Sequence, residues 1–568
     1  MSENKLPHWD LSPIYTSVKS EEFLKDIETI KENAAKLTSM IPEHNLYELL
    51  MLVNETWELS SNVGSYSSAL LTTDTANAEY IGALDKVEEA DMHFSNAYTK
   101  LVAEIPAMQD QFSDPRLADY QFILSEFLED SKHQMKPEEE ELATEMLRVS
   151  ANQWSRLQEA VTSSIEENGK TLIELRGLAA DPDRAVRKDA YEREIKILEE
   201  HKTALCYALN GVKGTCLLLE KRRGWNSPIE RSAATSRISM KALDALISVL
   251  EESLPIFRHY YEVKAKLLGI EKLDWYDIIA PVGKSSKKYS YEDAKDIVVS
   301  SYSSFSPEMG AFVKKAFDEN WIDAEPRKGK VGGAYDTSFK KAGVSRVLAN
   351  YDYTYDSVST LAHELGHAYH DSVVMPLPSL LGEYPMTLAE TASIFGETVV
   401  FTEVLKTLSK DEQLPVIEQF VSSAAQVCVD ILSRFYFERS CFEARRNGEL
   451  TPEEMCNLML DAQDATYGDA VAEKHKYMWA VKGHYYSEGF SFYNYPYAFG
   501  QLFALGLFKR SKEMGDFPKA YRELLSKTGM MSAKDVAALA GCDIESKDFW
   551  REGISVIAEY AKELENWL

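Results

Sequence analysis

The chain reads as a mainly α-helical protein with one small β-sheet, and three observations point there. Apolar residues recur at spacings of three and four over most of its 568 positions, with Glu, Lys and Asp on the remaining faces, which is the period of an amphipathic helix. A single stretch, residues 321–354, combines Gly-rich turns with short aromatic and β-branched runs, the pattern of strands. No internal repeat or low-complexity tract suggests a solenoid or a disordered chain.

Taken in order, Trp9-Asp-Leu-Ser-Pro-Ile-Tyr15 is a Pro-bearing entry segment. Helices are expected over residues 21–40, 46–71, 76–105 and 117–127, and the pattern continues from 138 past 154. Gly177 and Pro182 mark a change of pattern, after which helices run over 185–200, 203–221 and 239–268. The β-like stretch follows, with turns at Gly332-Gly333; neither G-x-G-x-x-G nor a Walker pattern is present, so this is no phosphate loop. Helical pattern returns over 356–370, again from a start marked by Pro385 and Thr387 to 403, and then over 411–446, 452–464, 498–514 and 549–568.

Composition narrows the function classes. Apolar content of 45% and charged content of 27% are those of an ordinary globular protein. A net charge of −29 argues against a nucleic-acid or anionic-membrane partner. The first residues lack an apolar signal core and no uninterrupted apolar run is expected to span a bilayer, so a cytoplasmic location is expected. Six scattered cysteines without a C-x-x-C pair read as reduced thiols.

The chemistry centres on His363-Glu364-Leu-Gly-His367. Chance supplies H-E-x-x-H roughly 0.02 times in a chain of this composition. On a helix the two histidines stand one turn apart on one face and can close on one metal ion, with Glu364 beside them. Two imidazoles, a third protein ligand and a position left to water describe a catalytic zinc site, where the metal lowers the pKa of water and a carboxylate takes its proton. Asp356 or Ser357 can cap this helix, and Val358, Leu361, Ala362, Leu365 and Ala368 form its apolar stripe. Gly366 costs the helix about 1 kcal/mol relative to Ala, so it should answer to a close approach of substrate or another helix.

Three carboxylates compete for the third ligand position. Glu383 precedes Pro385 on an expected loop, Glu390 lies in the first turn of the next helix, and Glu397 follows nearly two turns later. Glu390 is preferred as the ligand and Glu397 as the group orienting an imidazole, although Thr387-x-x-Glu390 also fits a simple capping box. Further on, His484-Tyr485-Tyr486 to Tyr493-Asn-Tyr495-Pro-Tyr497 concentrates neutral hydrogen-bond donors of the kind that stabilise an oxyanion. Any one of these tyrosines can equally be aromatic core or pocket wall.

His363-Glu-Leu-Gly-His367 with Glu390 inside Ala389-Glu-Thr-Ala-Ser393, the W-D-L-S opening, Asp181-Pro-Asp183-Arg184 and the Tyr cluster together resemble the oligoendopeptidase F and thimet oligopeptidase family of zinc peptidases, the oligoendopeptidase F branch above all. The resemblance implies two helical lobes around a deep channel, with the small sheet next to the motif helix. It implies one zinc ion on His363, His367 and Glu390, Glu364 as general base, and His484 with Tyr495 as oxyanion donors. Tyr486 and Tyr493 compete for that role, and they join Gly333, Ala334 and Tyr335 as expected substrate contacts. The lobe boundary is expected near residue 200, dividing an amino-terminal lobe (1–200) from a catalytic part (201–568). The implied activity is cleavage of internal bonds in oligopeptides. A zinc carboxypeptidase of similar fold, or a peptide-binding protein with a vestigial site, are the alternatives.

Overall fold

The computed structural model describes residues 5–283 and 287–568 and is mostly helical. Its chain forms two compact units, each assembled from three separate segments: Met1–Gln134, Ser286–Thr407 and Arg510–Cys542 in the first, Met135–Ser285, Leu408–Lys509 and Asp543–Leu568 in the second.

In the first unit, helices Glu21–Met40, Leu46–Thr73 and Ala78–Glu104 pack on one another through the stripes legible in the sequence; Phe23, Ile30, Leu37, Leu49, Leu50 and Val53 are fully out of water. Ser20, Asn45 and Asn77 cap their three starts. The sheet has three strands. Val344–Leu348 lies in the middle, parallel to Ile322–Asp323 and antiparallel to Tyr335–Phe339, with Tyr335 opposite Leu348 and Phe339 opposite Val344. The reversal at Lys340–Ala342 ends on Gly343 at φ 66°, a left-handed position that suits glycine. Tyr335–Phe339 is therefore an edge strand, and both it and the middle strand pack on the helix Tyr355–Val374, which carries H-E-x-x-H.

The second unit is built on one helix of 39 residues, Arg184–Arg222. The sequence suggested two helices here, but Glu200-His-Lys-Thr203 contains no breaker and the helix runs through. Asp183 caps it, and Arg184 and Arg187 converge on the buried Asp277, with Nη2 atoms 2.8 and 2.9 Å from its oxygens. The D-P-D-R segment thus has a structural task. A hairpin of Glu166–Glu167 with Lys170–Thr171, turning on Asn168-Gly169 at positive φ, was not expected, though Asn-Gly is the usual signal for it.

One helix bears on the apolar runs. Lys410–Arg445 is long and apolar enough by composition to cross a membrane. It is interrupted by a π-turn at Gln426–Asp430, and it buries Glu418 and Glu438, which pair with the equally buried Lys264 at 2.6 Å and Lys213 at 2.5 Å. Ion pairs buried that deeply, on a helix whose most apolar window is two-thirds enclosed by protein, describe a core helix. All six cysteines are buried free thiols.

Candidate metal centre and active site

The motif helix is capped two or three residues before the positions the sequence suggested. Thr354, rather than Asp356 or Ser357, is its cap, accepting from the Ser357 N–H, while Ser357 Oγ donates to Asp352. Val358, Leu361, Ala362, Leu365 and Ala368 are all fully buried, so the opposite face carrying His363 and His367 is held in a fixed direction. The second helix, Met386–Leu405, crosses it closely. A Cβ on Gly366 would lie 2.5 Å from Ala392 O and 2.6 Å from Ser393 Cα, which explains the glycine. Gly396 on the second helix clears a path for Tyr302, whose hydroxyl donates to Ala362 O of the motif helix at 2.7 Å. Nothing local in the sequence marked Tyr302, sixty residues upstream, for this bracing.

That crossing brings three donors together. Glu390 Oε2 lies 3.3 Å from His363 Nε2 and 3.5 Å from His367 Nε2, and the three ligand atoms fall within 4.8 Å of one another. Among the described residues this is the one group of three His, Cys, Asp or Glu side chains so disposed. The capping-box alternative for Glu390 fails: the N-cap is Pro385, and Thr387 sits buried inside the helix. Glu383 points elsewhere, accepting from Trp57 Nε1 at 3.0 Å. Glu397 Oε2 is 3.2 Å from His363 Nδ1 and its other oxygen accepts from Ser359 Oγ at 2.9 Å. With Nδ1–H donated to Glu397, His363 presents the Nε2 lone pair toward the shared point.

The electrostatics ask for a cation at that point. Burial alone would raise the Glu390 carboxyl, yet hydrogen bonds from both imidazoles outweigh it and hold it far below the carboxylate range. Burial would likewise lower His363, but Glu390 and Glu397 drive it well above its ordinary value. Two carboxylates thus concentrate negative charge about His363, and two imidazoles with one carboxylate are the donor set of a catalytic zinc site. The histidine side chains are 27% and 20% exposed, so the site is reachable.

Glu364 lies on the adjoining face, 7% exposed, its carboxyl raised by burial and drawing on the backbone N–H of Asp336 in the edge strand. Gly333 and Ala334 lead into that strand. Gly333 has φ 79° and open space around it, and Ala334 is half-buried. Tyr335 is half-buried too, but its hydroxyl meets Thr72 Oγ1 at 2.5 Å and its ring lies edge-on to Trp9.

In the second unit the aromatic cluster sorts itself. His484 sits in the short turn Gly483–Tyr486. Burial, then the nearby cations Arg434, Lys213 and Lys482, depress its imidazole to about 2, so it is a neutral ring, and among the described residues its Nε2 has no hydrogen-bond partner. Tyr493 stacks beside it at 6.0 Å, is half-buried, and shares a 3.1 Å hydroxyl contact with Tyr497. Two expectations are corrected here. Tyr495 is fully buried and its hydroxyl is spent within its own unit, donating to Ser232 O at 3.0 Å with Ser236 Oγ also at 3.0 Å. Tyr486 is 1% exposed with its hydroxyl 3.4 Å from Leu205 O, a core position rather than a substrate contact.

Comparison with known proteins bears on this arrangement. The model of peptidase family M3 matches residues 178–556, and the model described as Oligopeptidase F matches residues 107–166. An oligoendopeptidase F homologue of Lactococcus lactis is 26% identical over 98% of this chain and 96% of its own. Oligopeptidase PepF of Bacillus subtilis is 25% identical over 99% of this chain and 87% of its own. The crystal structure of oligoendopeptidase-F from Enterococcus faecium superposes with a TM-score of 0.71 at 19% identity, covering 96% of this chain and 98% of that one.

Proposed function

The chain belongs to peptidase family M3, whose members are metallopeptidases that hydrolyse peptides, and from that premise we propose that it cuts internal bonds of short peptides with zinc on His363, His367 and Glu390. The observation that carries this reading is the convergence of those three donors beside the buried carboxylate of Glu364. The bound ion would polarise a peptide carbonyl and make water nucleophilic near neutral pH.

The chain's own groups divide the remaining work. Glu364 takes the proton of the attacking water and delivers it to the departing amine, a transfer for which a partly desolvated carboxylate is suited. Glu397 and Ser359 fix the tautomer and angle of His363. His484 and Tyr493 are the proposed donors to the oxygen that becomes negative. His484 qualifies because its ring is neutral with an unpartnered nitrogen, and Tyr493 is preferred over Tyr495 because the latter's hydroxyl is already committed. The outer edge of Tyr335–Phe339, which carries no further strand among the described residues and is entered through Gly333 and Ala334, suits an extended peptide backbone, which adds as a strand and leaves its own side chains alternating.

The test is mass spectrometry of an internally quenched oligopeptide blocked at both termini, incubated with wild-type enzyme and with Glu364→Gln. Internal cleavage by the wild type that a chelator stops and zinc restores is expected. The Gln variant should keep stoichiometric zinc and lose turnover by about 10²–10⁴-fold, in line with removal of a proton-transfer group. A fully active Gln variant, or trimming of unblocked peptides alone, would overturn the assignment.

A further inference from the structure

The second unit contains a cavity of about 390 Å³ that the peptidase reading leaves unused. That volume lies within the range of small-ligand pockets. Part of its wall is apolar, from Leu175, Ala190, Ile278 and Met478, and Ile279 at its rim is 46% exposed, an isoleucine left in water. The rest is charged, and the charges are almost all matched. Glu194 pairs with Arg176 and lies 3.1 Å from His475 Nε2. Asp430 is held by Arg434 and by Gln426 Nε2 at 2.7 Å. Arg187 is bound to Asp277 at 2.9 Å.

Lys482 is the exception. Among the described residues its ammonium makes no hydrogen bond and no ion pair, though it lines the cavity. Arg176 and Arg187 are each matched by a carboxylate and Asp430 by Arg434, so Lys482 is the positive charge the cavity has to spare. The neighbouring Arg434 adds a buried Nε–H without an acceptor among the described residues. Asp430 and Glu194 attract this ammonium only from a distance; one withdrawn from water without a hydrogen-bonded counter-charge is unfavourable, and an incoming anion relieves it with charge-assisted hydrogen bonds. Beside an apolar wall, the anion that fits is one with a hydrocarbon body.

We propose that this cavity binds a small organic carboxylate, with its charged end on Lys482 and its apolar body against Leu175, Ile278 and Ile279. Burial, and then the charge of Arg434, push the Lys482 ammonium down to about 8. At pH 8 it is therefore about half neutral while ordinary lysines, near 10.4, are almost wholly charged. Lys482 should then be acylated ahead of other lysines, which provides a local probe. Lys482 immediately precedes the turn that carries His484, and its carbonyl accepts from the Tyr485 N–H at 3.1 Å.

The experiment is brief acetylation of the zinc-loaded enzyme at pH 8, read at Lys482 by peptide mass spectrometry against the protein's other lysines. Hexanoate near 10 mM should reduce labelling of Lys482 at least threefold, and hexan-1-ol at the same concentration should not. An Ala190→Leu variant, folded by circular dichroism, fills the cavity and should lose the protection. Should that variant fail to fold, the hexanoate and hexanol comparison in the wild type decides alone. Labelling of Lys482 unchanged by hexanoate, protection by hexanol equal to that by hexanoate, or full protection in folded Ala190→Leu would each overturn the proposal.

Discussion

Replacing Gly366 with Ala sets two physical effects against each other, and the structure says which wins. In an open helix the change gains about 1 kcal/mol of helix propensity. At 366, however, the new methyl meets the backbone of the crossing helix at 2.5 and 2.6 Å, where ordinary contact begins near 3.4 Å. The two helices must part by about 0.9 Å, since neither a carbonyl nor a Cα can rotate aside, and overpacking of this sort costs about 1–3 kcal/mol. A net loss of up to about 2 kcal/mol is expected, measured as a lower Tm of the metal-free protein. The larger consequence falls on the metal. Ser393, which receives the clash, donates through Oγ to Glu390 Oε2 at 2.7 Å, so the displacement moves a proposed ligand by several times the roughly 0.2 Å tolerance of such sites. Zinc affinity, measured by competition with a chromogenic chelator, should fall by at least about tenfold. Gly64→Ala is the control. It lies within the helix Leu46–Thr73 and its Cβ would meet only Val87 Cγ1, at 4.0 Å, so stability should rise with zinc binding unchanged. If Gly366→Ala is as stable as the wild type and binds zinc equally well, the reasoning from the helix crossing is refuted.

Glu397→Ala removes the acceptor on His363 Nδ1 and should weaken zinc binding about 10–100-fold with little loss of fold stability, checked by the same competition and by Tm. Tyr493→Phe should lower kcat by about 100-fold with KM little changed, whereas Tyr495→Phe should leave kcat near wild type and cost about 1 kcal/mol of stability through its lost buried hydrogen bonds; the reverse pattern in steady-state kinetics and urea unfolding would return the donor role to Tyr495. Glu418→Leu strands Lys264, fully buried and 2.6 Å from the lost carboxylate, and should destabilise the second unit by about 3–5 kcal/mol in urea unfolding, with zinc affinity unaffected.

The sequence by itself determined whatever depends on neighbours along the chain. Helix period, caps and breakers are local, so the helices at 21–40, 46–73 and 240–267 were legible nearly to their ends, and the four-residue spacing of His363 and His367 was enough to put both on one face. Even Gly366 announced a close approach, because a glycine inside a buried helix needs a steric reason. Local signals also misled where two mechanisms share a pattern: Thr387-x-x-Glu390 reads as a cap until the N-cap is seen at Pro385. What only the tertiary structure decided rests on partners hundreds of residues away. Tyr495 and Tyr493 are equivalent in sequence, two positions apart in one aromatic run, and differ because Ser232 and Ser236 satisfy one hydroxyl and leave the other beside His484. The assembly of each unit from three segments, and the unmatched charge of Lys482 among wall residues running from 175 to 482, have the same origin. Periodicity along the chain fixes which face a side chain leaves, but which atoms await it there is set by packing, and packing is not local.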